Sequence, residues 1–312
     1  MFSGRIQEVF MAFRVVLIES ECSVHLKLNN LLIDKGEGDI WIPLDDISMI
    51  VLDNLKIEIT ARLMSTIAEH NIGVVFCNKE HLPIGFYSSY DNHSRISKCI
   101  GYQIEKDQDF YDAFWHGLVY QKIINQRQVL EMLGKTDSIA KLEQLSNEIT
   151  DGDKTNREGH AAKVYFNSLM GTSFSRGNED ILLNSGLDYG YTIIRAYIAR
   201  LCVGYGLNSQ VGIHHKNEFN RFNLIDDLME PVRPFVDLYA YRILENEDYF
   251  KVEHRRRLVN ILNHKVRYMD KNMFIANMIE EYVAQYSAFL SGKRETVVFP
   301  QVSNYLGEED DN

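Results

Sequence analysis

The chain has 312 residues, 45% of them hydrophobic and 25% charged, so it can bury a large core and is long enough for two domains. A formal net charge of −11 and a pI near 5.4 argue against a protein that coats nucleic acid indiscriminately, although they leave room for a local basic surface. The apolar runs are too short to cross a bilayer, and the N-terminus lacks the features of a signal peptide. We therefore expect a cytoplasmic protein that does not associate with membranes.

The first ninety residues have the pattern of short strands. Alternating or β-branched apolar residues predict strands, and Asn29-Asn30 predicts a hairpin turn between two of them. The predicted strands cover residues 13–18, 24–28, 31–34, 40–42, 48–52, 73–77 and 84–87. One amphipathic helix is predicted at 58–70, and residues 1–10 are expected to form a flexible extension.

Beyond residue 92 the pattern becomes helical. Apolar residues recur at helical spacing, and glycines separate the segments. Helices are predicted at 101–133, 138–149, 157–170, 186–205, 226–245, 252–263 and 272–291. The predicted fold class is α+β, with a small β-sheet domain at residues 11–92, a larger, all-helical domain at 93–303 and an acidic, disordered tail at 304–312.

Glu158 stands where a helix should be apolar. On a helix from residue 157 to 170 it shares a stripe with Ala161, Ala162 and Tyr165, because positions three, four and seven apart lie on one face. A carboxylate on an inward stripe costs free energy unless a cation or several donors meet it. An ordinary alternative is a capping box, in which Thr155 and Glu158 satisfy the N–H groups at the helix start.

A second acidic group lies in the segment Asp226-Asp227-Leu228-Met229-Glu230. Asp227 and Glu230 are three apart, and Asp226 and Glu230 are four apart, so either pair can share a helical face. Like charges so placed repel unless a cation separates them. A metal ion or Arg233 could supply that charge, and the acids could also be first-turn residues that favour the helix dipole.

Adjacent histidines, His214 and His215, occupy a glycine-punctuated loop before this acidic segment. Solvated loop histidines are the ordinary interpretation, and the spacing does not match a His-Glu-x-x-His metalloprotease helix. Two acidic helical faces and an imidazole are nevertheless the ligands that a hard or borderline divalent cation binds.

Clustered basic residues accompany the acidic groups. They could form a solvated helix face paired with acids, or they could position a phosphodiester backbone beside a metal site. The candidates for DNA binding are Lys122, Arg127, Arg255, Arg256 and Arg257.

Four segments in this order resemble the CRISPR adaptation integrase family, the metal-dependent nuclease subunit that inserts new spacers. They are Arg-Glu-Gly-His-Ala-Ala-Lys-Val-Tyr-Phe at 157–166, Gly-Leu-Asp-Tyr-Gly-Tyr at 186–191, Gly-Ile-His-His at 212–215 and Asp-Leu-Met-Glu-Pro-Val-Arg-Pro at 227–234. The Asn-Gln-Arg stretch at 125–127 is also similar to the family. The resemblance runs from about residue 11 to about residue 300 and is closest to the type II branch.

The resemblance implies roles for particular residues. Glu158, His215 and Glu230 match the family's catalytic metal ligands, with His214 as the alternative register, and Asp227 matches a supporting acid. The implied cofactor is Mg²⁺ or Mn²⁺, and the histidine favours Mn²⁺. The implied reaction is transesterification, in which prespacer 3′-hydroxyl ends attack phosphodiesters of the leader–repeat array.

The resemblance also implies partners. These are double-stranded DNA with 3′ ends, CRISPR repeat DNA, a second copy joined through the β-rich domain, and a small ferredoxin-like second CRISPR-associated protein that completes a heterohexamer. The type II branch further suggests an RNA-guided effector nuclease and an accessory ring protein.

Two other functions use the same residues. A hydrolytic metal-dependent phosphodiesterase would employ the same ligands with water as nucleophile. A non-catalytic helical scaffold would use the acids as caps and in salt bridges. Residue chemistry alone places the metal phosphodiesterase only slightly ahead of the scaffold, and the family resemblance favours the integrase.

Overall fold

A computed structural model describes residues 14–34, 36, 38–90, 93–178 and 181–307. The elements of the first part are, in order, β1 (Arg14–Ile18), β2 (Ser23–Lys27), β3 (Asn30–Asp34), β4 (Asp39–Pro43), β5 (Ile47–Leu52), β6 (Glu58–Ile59), α1 (Ala61–Glu69), β7 (Gly73–Cys77) and β8 (Pro83–Tyr87). Those of the second part are α2 (Ile96–Ile104), α3 (Gln108–Met132), α4 (Ile139–Asn147), α5 (Arg157–Met170), α6 (Leu182–Gly204), α7 (Asn223–Leu228), α8 (Arg233–Leu244), α9 (Val252–Asn260), β9 (Lys265–Tyr268), β10 (Lys271–Phe274), α10 (Ile275–Leu290) and β11 (Tyr305–Gly307).

The predicted fold class, a β-sheet part followed by a larger, mainly helical part, is confirmed. The second part is not all-helical, because β10, β9 and β11 form a three-stranded sheet in that order. The strand β11 lies in the segment predicted to be a disordered tail. The predicted N-terminal extension at 1–10 and the tail residues 308–312 lie outside the described residues. No helix in the described ranges is both long and apolar enough to span a membrane.

Two four-stranded sheets form the first part. One has the order β1-β5-β7-β8, with β1, β5 and β7 parallel and β8 antiparallel. The other has the order β4-β3-β2-β6. The hairpin between β2 and β3 turns at Leu28 and Asn29, both with positive φ, as a two-residue turn of this kind requires. The turn thus begins one residue earlier than the sequence predicts.

Strand β5 is buried on both faces and joins the two parts of the molecule. Ile50 and Leu52 point into a core shared with the second sheet and α1. Met49 and Val51, which alternate with them, point into the larger core formed by the helices. The sheet is therefore sandwiched between its own small core and the helical part, and α6 and α9 pack against it.

Candidate active site

The start of α5 is capped by residues other than those of the predicted capping box. Asn156 accepts a hydrogen bond from the Gly159 backbone N–H at 3.0 Å. The Asp153 carboxylate accepts from the N–H groups of Arg157 at 2.8 Å and Glu158 at 2.9 Å. The free donors of the first turn are thus satisfied without the Glu158 side chain, which is available for another role.

Glu158 is met instead by Lys122 of α3. The Lys122 Nζ lies 2.6 Å from Glu158 Oε1 and 2.5 Å from Glu230 Oε2, so the two carboxylates converge on one cation. The Lys122 side chain is only 10% exposed. Burial alone would lower the pKa of Lys122, but Glu230 and Glu158 outweigh it and the pKa is raised. Lys122 is therefore charged, and it occupies the centre of the acidic cluster.

Glu230 lies in a tight turn between two helices rather than on one continuous helix. The sequence predicts a helix over 226–245, but α7 ends at Leu228 and α8 begins at Arg233. The turn brings Glu230 Oε1 within 2.9 Å of Arg233 Nε. Burial would raise the pKa of Glu230, but Arg233 and Lys122 outweigh it and lower the pKa to about 2. The carboxylate is thus ionised. Of the two predicted neutralising partners, Arg233 is in place, and Lys122 supplies a second positive charge that was not predicted.

Asp227 holds the histidine loop in place. Its Oδ2 accepts the backbone N–H groups of Ile213 at 2.6 Å and His214 at 3.0 Å, and its Oδ1 accepts that of His215 at 3.3 Å. Gly212 allows the loop to fold this closely around the Asp227 carboxylate, because a Cβ at residue 212 would meet the His215 carbonyl oxygen at 2.2 Å. Asp227 thus fixes the backbone that carries His215.

The His215 ring is oriented by the same carboxylate. Its Nδ1 lies 2.5 Å from Asp227 Oδ1, which leaves Nε2 as the outward nitrogen. The pKa of His215 is raised, first by its hydrogen bond to Asp227 and then by the charges of Asp227, Glu230 and Glu158. Burial also raises the pKa of Asp227, but four donors converge on it, so we assign it as the carboxylate. Neighbouring His214 is stacked flat on Trp115, with ring centroids 4.4 Å apart, and this packing favours His215 over His214 as the functional ring.

These side chains suit a divalent cation in their chemistry. Glu158 and Glu230 converge on a positive charge, and Glu230 Oε2 is buried with no well-directed hydrogen bond. A histidine whose Nδ1 is held by a carboxylate is a typical metal ligand. As placed, however, no three His, Cys, Asp or Glu side chains among the described residues are arranged to hold an ion. Lys122 lies between the carboxylates, so an ion bound there requires the ammonium to move.

The other predicted DNA-binding residues lie in different surroundings. Arg127 is half-buried and faces Glu131 and Glu143. Arg255 is buried against Asp53, with Nε 3.0 Å from Oδ2. Arg256 is exposed and pairs with Glu19, and Arg257 Nε contacts the Tyr239 hydroxyl at 3.2 Å. Arg256 is therefore accessible to DNA, whereas Arg255 is buried and is not.

Asn125 supports the site, a role that the sequence did not predict. Its Nδ2 donates to the carbonyl oxygens of Pro231 at 2.7 Å and Pro300 at 2.9 Å. Its Oδ1 accepts from the Val302 backbone N–H. The side chain thereby ties the turn that carries Glu230 to α3, the helix that carries Lys122. The signals in the sequence are the family resemblance of the stretch 125–127, which gave Asn125 no role, and a polar residue on an apolar helix three positions after Lys122.

Comparisons with known proteins agree with this architecture. A family model described as "CRISPR associated protein Cas1" matches residues 15–267. A CRISPR-associated endonuclease Cas1 of Neisseria meningitidis serogroup C (strain 8013) is 31% identical over 287 residues, covering 91% of this chain and 94% of the relative.

Solved structures share the fold. A casposase bound to integration product superposes with a TM-score of 0.76 at 20% identity, covering 96% of both chains. A Cas6-RT-Cas1–Cas2 complex superposes with a TM-score of 0.71 at 19% identity, covering all of this chain and 37% of that one. The family match spans most of the chain, including Lys122, Glu158, His215 and Glu230. The chain therefore belongs to the Cas1 family of CRISPR-associated proteins.

Proposed function

We propose that the chain is a metal-dependent DNA endonuclease and integrase of CRISPR adaptation, which acts in the prokaryotic cytoplasm in antiviral defence. The observation that carries the proposal is the convergence of Glu158 and Glu230 on one cation beside the oriented ring of His215. The relative from Neisseria meningitidis is named an endonuclease, and the casposase structure contains an integration product, which supports DNA strand chemistry.

Glu158, His215 and Glu230 would hold Mg²⁺ or Mn²⁺. When bound, the ion would supply Lewis-acid stabilisation of the charge that develops on the phosphoryl oxygens. The protein contributes orientation. Asp227 keeps His215 Nε2 outward, and Arg233 neutralises one oxygen of Glu230. The His215 side chain is 41% exposed and the Glu158 side chain 22%, whereas that of Glu230 is 4% exposed. DNA therefore approaches from the side of His215 and Glu158.

The proposed reaction exchanges one phosphodiester for another. A 3′-hydroxyl oxygen of the prespacer bonds to a phosphorus atom at the leader–repeat boundary, and the bond from that phosphorus to the 3′ oxygen of the array strand breaks. The proton lost by the attacking hydroxyl is balanced by the proton gained by the departing oxygen. A second transfer joins the other end. No covalent protein–DNA intermediate is needed.

The proposed partners follow from the family and its solved complexes. A structure of similar fold contains both Cas1 and Cas2, which supports a small Cas2 partner and a homodimer of this chain within a heterohexamer. Prespacer DNA and repeat DNA are the proposed substrates. An RNA-guided effector nuclease and an accessory ring protein stay predictions from the type II resemblance.

Strand transfer by purified protein tests the proposal. The protein is incubated with a 3′-hydroxyl duplex, a repeat-bearing plasmid and Mn²⁺, and joined products are measured. We expect Glu158→Gln and Glu230→Gln to lower the transfer rate at least on the order of a hundredfold, because each removes charge that the transition state requires. Their folding is checked by circular dichroism and thermal unfolding.

Glu143→Gln is the matched control, because that carboxylate is 57% exposed and its ion pair with Arg127 is long, at 3.9 Å. It should retain wild-type transfer. Undiminished joining by a folded Glu158→Gln protein would refute the assignment.

Product analysis separates transfer from hydrolysis. The Neisseria relative is named an endonuclease, so cleavage by water is the second candidate. Joined products indicate transfer, whereas shortened DNA without joined products indicates a hydrolytic phosphodiesterase that uses the same residues.

A further inference from the structure

The loop between α5 and α6 is held in place by an arginine that lies outside the candidate active site. Arg176 Nη1 donates to Asn184 Oδ1 at 2.6 Å, and its Nη2 lies 2.6 Å from Asp188 Oδ1. Asn184 is buried, and its Nδ2 donates to the carbonyl oxygens of Ser175 and Asn178, at 2.9 Å each. Arg176 and Asn184 therefore hold the loop against the first turns of α6.

The same loop is attached to α5, the helix that carries Glu158. The Phe174 ring stacks on the Phe166 ring, with centroids 5.2 Å apart. Phe166 in turn makes an edge contact with Tyr165, which is fully buried. Glu158 lies two helical turns before Tyr165. The loop therefore connects the helix of one candidate metal ligand with α6.

Arg176 is connected to the second candidate ligand, Glu230, through the Tyr191 ring of α6. The guanidinium carbon of Arg176 lies 5.6 Å from the centroid of this ring, and that of Arg233 lies 4.8 Å from the same centroid. Both distances are within the roughly 6 Å over which an aromatic ring attracts a cation. Arg233 Nε then donates to Glu230 Oε1 at 2.9 Å. One aromatic ring thus lies between the loop and the carboxylate.

The Tyr191 ring is also held at its hydroxyl group. Burial, and then the charge of Asp237, raise the pKa of Tyr191 well above its usual value, so the hydroxyl keeps its proton. It donates a hydrogen bond to the Asp237 carboxylate of α8. With its hydroxyl fixed by α8 and its ring beneath Arg176, Tyr191 has little freedom to turn. Loss of Arg176 removes one of these restraints and lets the ring shift under Arg233.

We propose that Arg176 is a positioning residue for Glu230. It fixes the Tyr191 ring, which supports Arg233 and, through Arg233, the carboxylate that would bind the metal ion. The inference rests on the proposed function. Removing a group that directly orients a metal ligand typically costs about 10–100-fold in metal affinity or activity. Arg176 acts two contacts further away than Arg233, so a smaller effect is expected.

Binding of Mn²⁺ without DNA tests the inference. Electron paramagnetic resonance of free Mn²⁺ gives Kd and the number of sites for the wild-type protein and for Arg176→Gln. We expect Kd to rise roughly threefold to tenfold in Arg176→Gln. Partial unfolding would instead lower the number of sites and leave Kd unchanged. Arg267→Gln is the matched control, because Arg267 is 60% exposed and lies on β9, and it should keep the wild-type Kd.

Strand transfer provides a second readout of the same effect. Arg176→Gln should slow transfer at low Mn²⁺ and approach the wild-type rate at saturating Mn²⁺, because the ion then compensates for the weaker site. The Kd of a DNA duplex, measured by fluorescence anisotropy, should change less than about twofold, since the inference gives Arg176 no phosphate contact.

Tyr191→Leu tests whether Arg176 acts through the ring. This variant alone should raise the Kd of Mn²⁺. Adding Arg176→Gln to it should change Kd further by less than about twofold, because the group that transmits the effect is already gone. Fully additive effects would contradict this route. Circular dichroism and thermal unfolding check that each variant is folded, and if Tyr191→Leu is not, the Kd of Arg176→Gln alone decides.

A wild-type Kd for Mn²⁺ in folded Arg176→Gln would overturn the inference. Weaker duplex binding with an unchanged Kd for Mn²⁺ would also overturn it, and would make Arg176 a phosphate contact. Both results leave the proposed function intact, because the wild-type protein still binds the ion. If the wild-type protein neither binds Mn²⁺ nor transfers strands, the proposed function itself is wrong and the inference falls with it.

Discussion

At the scale of single residues, Lys122 sets the charge balance of the acidic cluster formed by Glu158 and Glu230. Its ammonium and the Arg233 guanidinium face the carboxylates of Glu158 and Glu230, so the four side chains balance in charge. The two carboxylate oxygens that contact Lys122 would otherwise repel each other across a short distance in a buried site. Lys122 is thus an internal counter-ion that competes with any divalent cation for the same oxygens.

Lys122→Met tests this competition. We expect the free energy of unfolding to fall by about 3–5 kcal/mol without added metal, because the variant leaves buried carboxylates with one fewer cation. Mn²⁺ should then stabilise the variant more than the wild-type protein, since the ion no longer has to displace an ammonium. Urea unfolding with and without Mn²⁺ measures both effects. Lys141→Met, which removes an exposed lysine that bonds Gln144 of its own helix, is the control. An identical Mn²⁺ response in wild type and Lys122→Met would contradict the competition.

A second buried acid, Asp237, lies behind the site. Its carboxylate accepts a hydrogen bond from the Tyr191 hydroxyl, and the Tyr191 ring supports the Arg233 guanidinium at 4.8 Å from the ring centroid. Burial raises the pKa of Asp237 from 3.8 to about 6, although Tyr191, Tyr165 and nearby arginines oppose the shift. The network links α6 and α8 beneath Arg233.

The raised pKa of Asp237 predicts a pH-dependent stability. As the pH rises from about 4 to about 6, the Asp237 carboxyl group loses its proton in the unfolded chain but keeps it in the folded protein. The free energy of unfolding therefore falls. A shift from 3.8 to about 6 corresponds to a loss of about 3 kcal/mol. Asp237→Asn has no such proton, so its stability relative to wild type should improve by that amount across the window. Urea unfolding at several pH values measures it. Asp270→Asn, at a 96% exposed position, is the control and should show no comparable trend. Parallel curves of unfolding free energy against pH for Asp237→Asn and wild type would contradict the prediction.

At the scale of elements, the break between α7 and α8 places Glu230. Pro231 and Pro234 lack the backbone N–H groups that a continuous helix would use. Asn125 of α3 receives the Pro231 carbonyl, which the break leaves without a helical donor. The position of the Glu230 carboxylate therefore depends on a contact between Asn125 and Pro231, which are 106 residues apart in sequence.

Asn125→Ala should loosen this turn. It leaves the buried carbonyl groups of Pro231 and Pro300 unsatisfied, and each such group costs about 1–3 kcal/mol. We expect a fall of about 3 kcal/mol in the free energy of unfolding and slower strand transfer, because Glu230 is held less firmly. Chemical denaturation and the transfer assay measure the two effects. Asn147→Ala, at the end of α4, is the control. Wild-type stability of Asn125→Ala would show that the turn is held by other contacts.

Local patterns predicted elements better than they predicted contacts. The period of apolar residues gave α5 with its true ends and put Glu158 on the stripe of Ala161 and Tyr165, both of which are buried. The cap of α5 was predicted wrongly. Its capping side chains belong to Asp153 and to Asn156, whose backbone is left-handed, and no residue pattern specified this turn. The pairing of Lys122 with Glu158 joins different helices, so periodicity within one helix could not reveal it. The resemblance to a family pointed to Glu158, Glu230 and His215 as ligands, which stays a prediction, and it gave no role to the lysine that lies between the two glutamates.

At the scale of the whole molecule, a buried ion pair between Asp53 and Arg255 connects the first sheet with the helical part. Asp53, just after β5, binds Arg255 of α9 and also the His81 ring, with Nδ1 2.9 Å from Oδ1. The side chains of Asp53 and Arg255 are 0% and 7% exposed. The neighbouring residue Arg256 is 57% exposed and pairs with Glu19. Adjacent arginines of one basic run therefore lie in different surroundings.

Arg255→Met and Arg256→Gln test these two arginines separately. Removing Arg255 strands the Asp53 carboxylate in the core, so the free energy of unfolding should fall by about 3–5 kcal/mol. Removing Arg256 breaks an exposed pair, which costs about 0–1 kcal/mol. If Arg256 contacts a DNA phosphate, its loss should instead weaken duplex binding and reduce the salt dependence of log Kd by about one unit. Urea unfolding and anisotropy at several salt concentrations measure both variants. A stable Arg255→Met protein with a reduced salt slope would place Arg255 on the DNA surface and contradict its assignment as the fastening between sheet and helices.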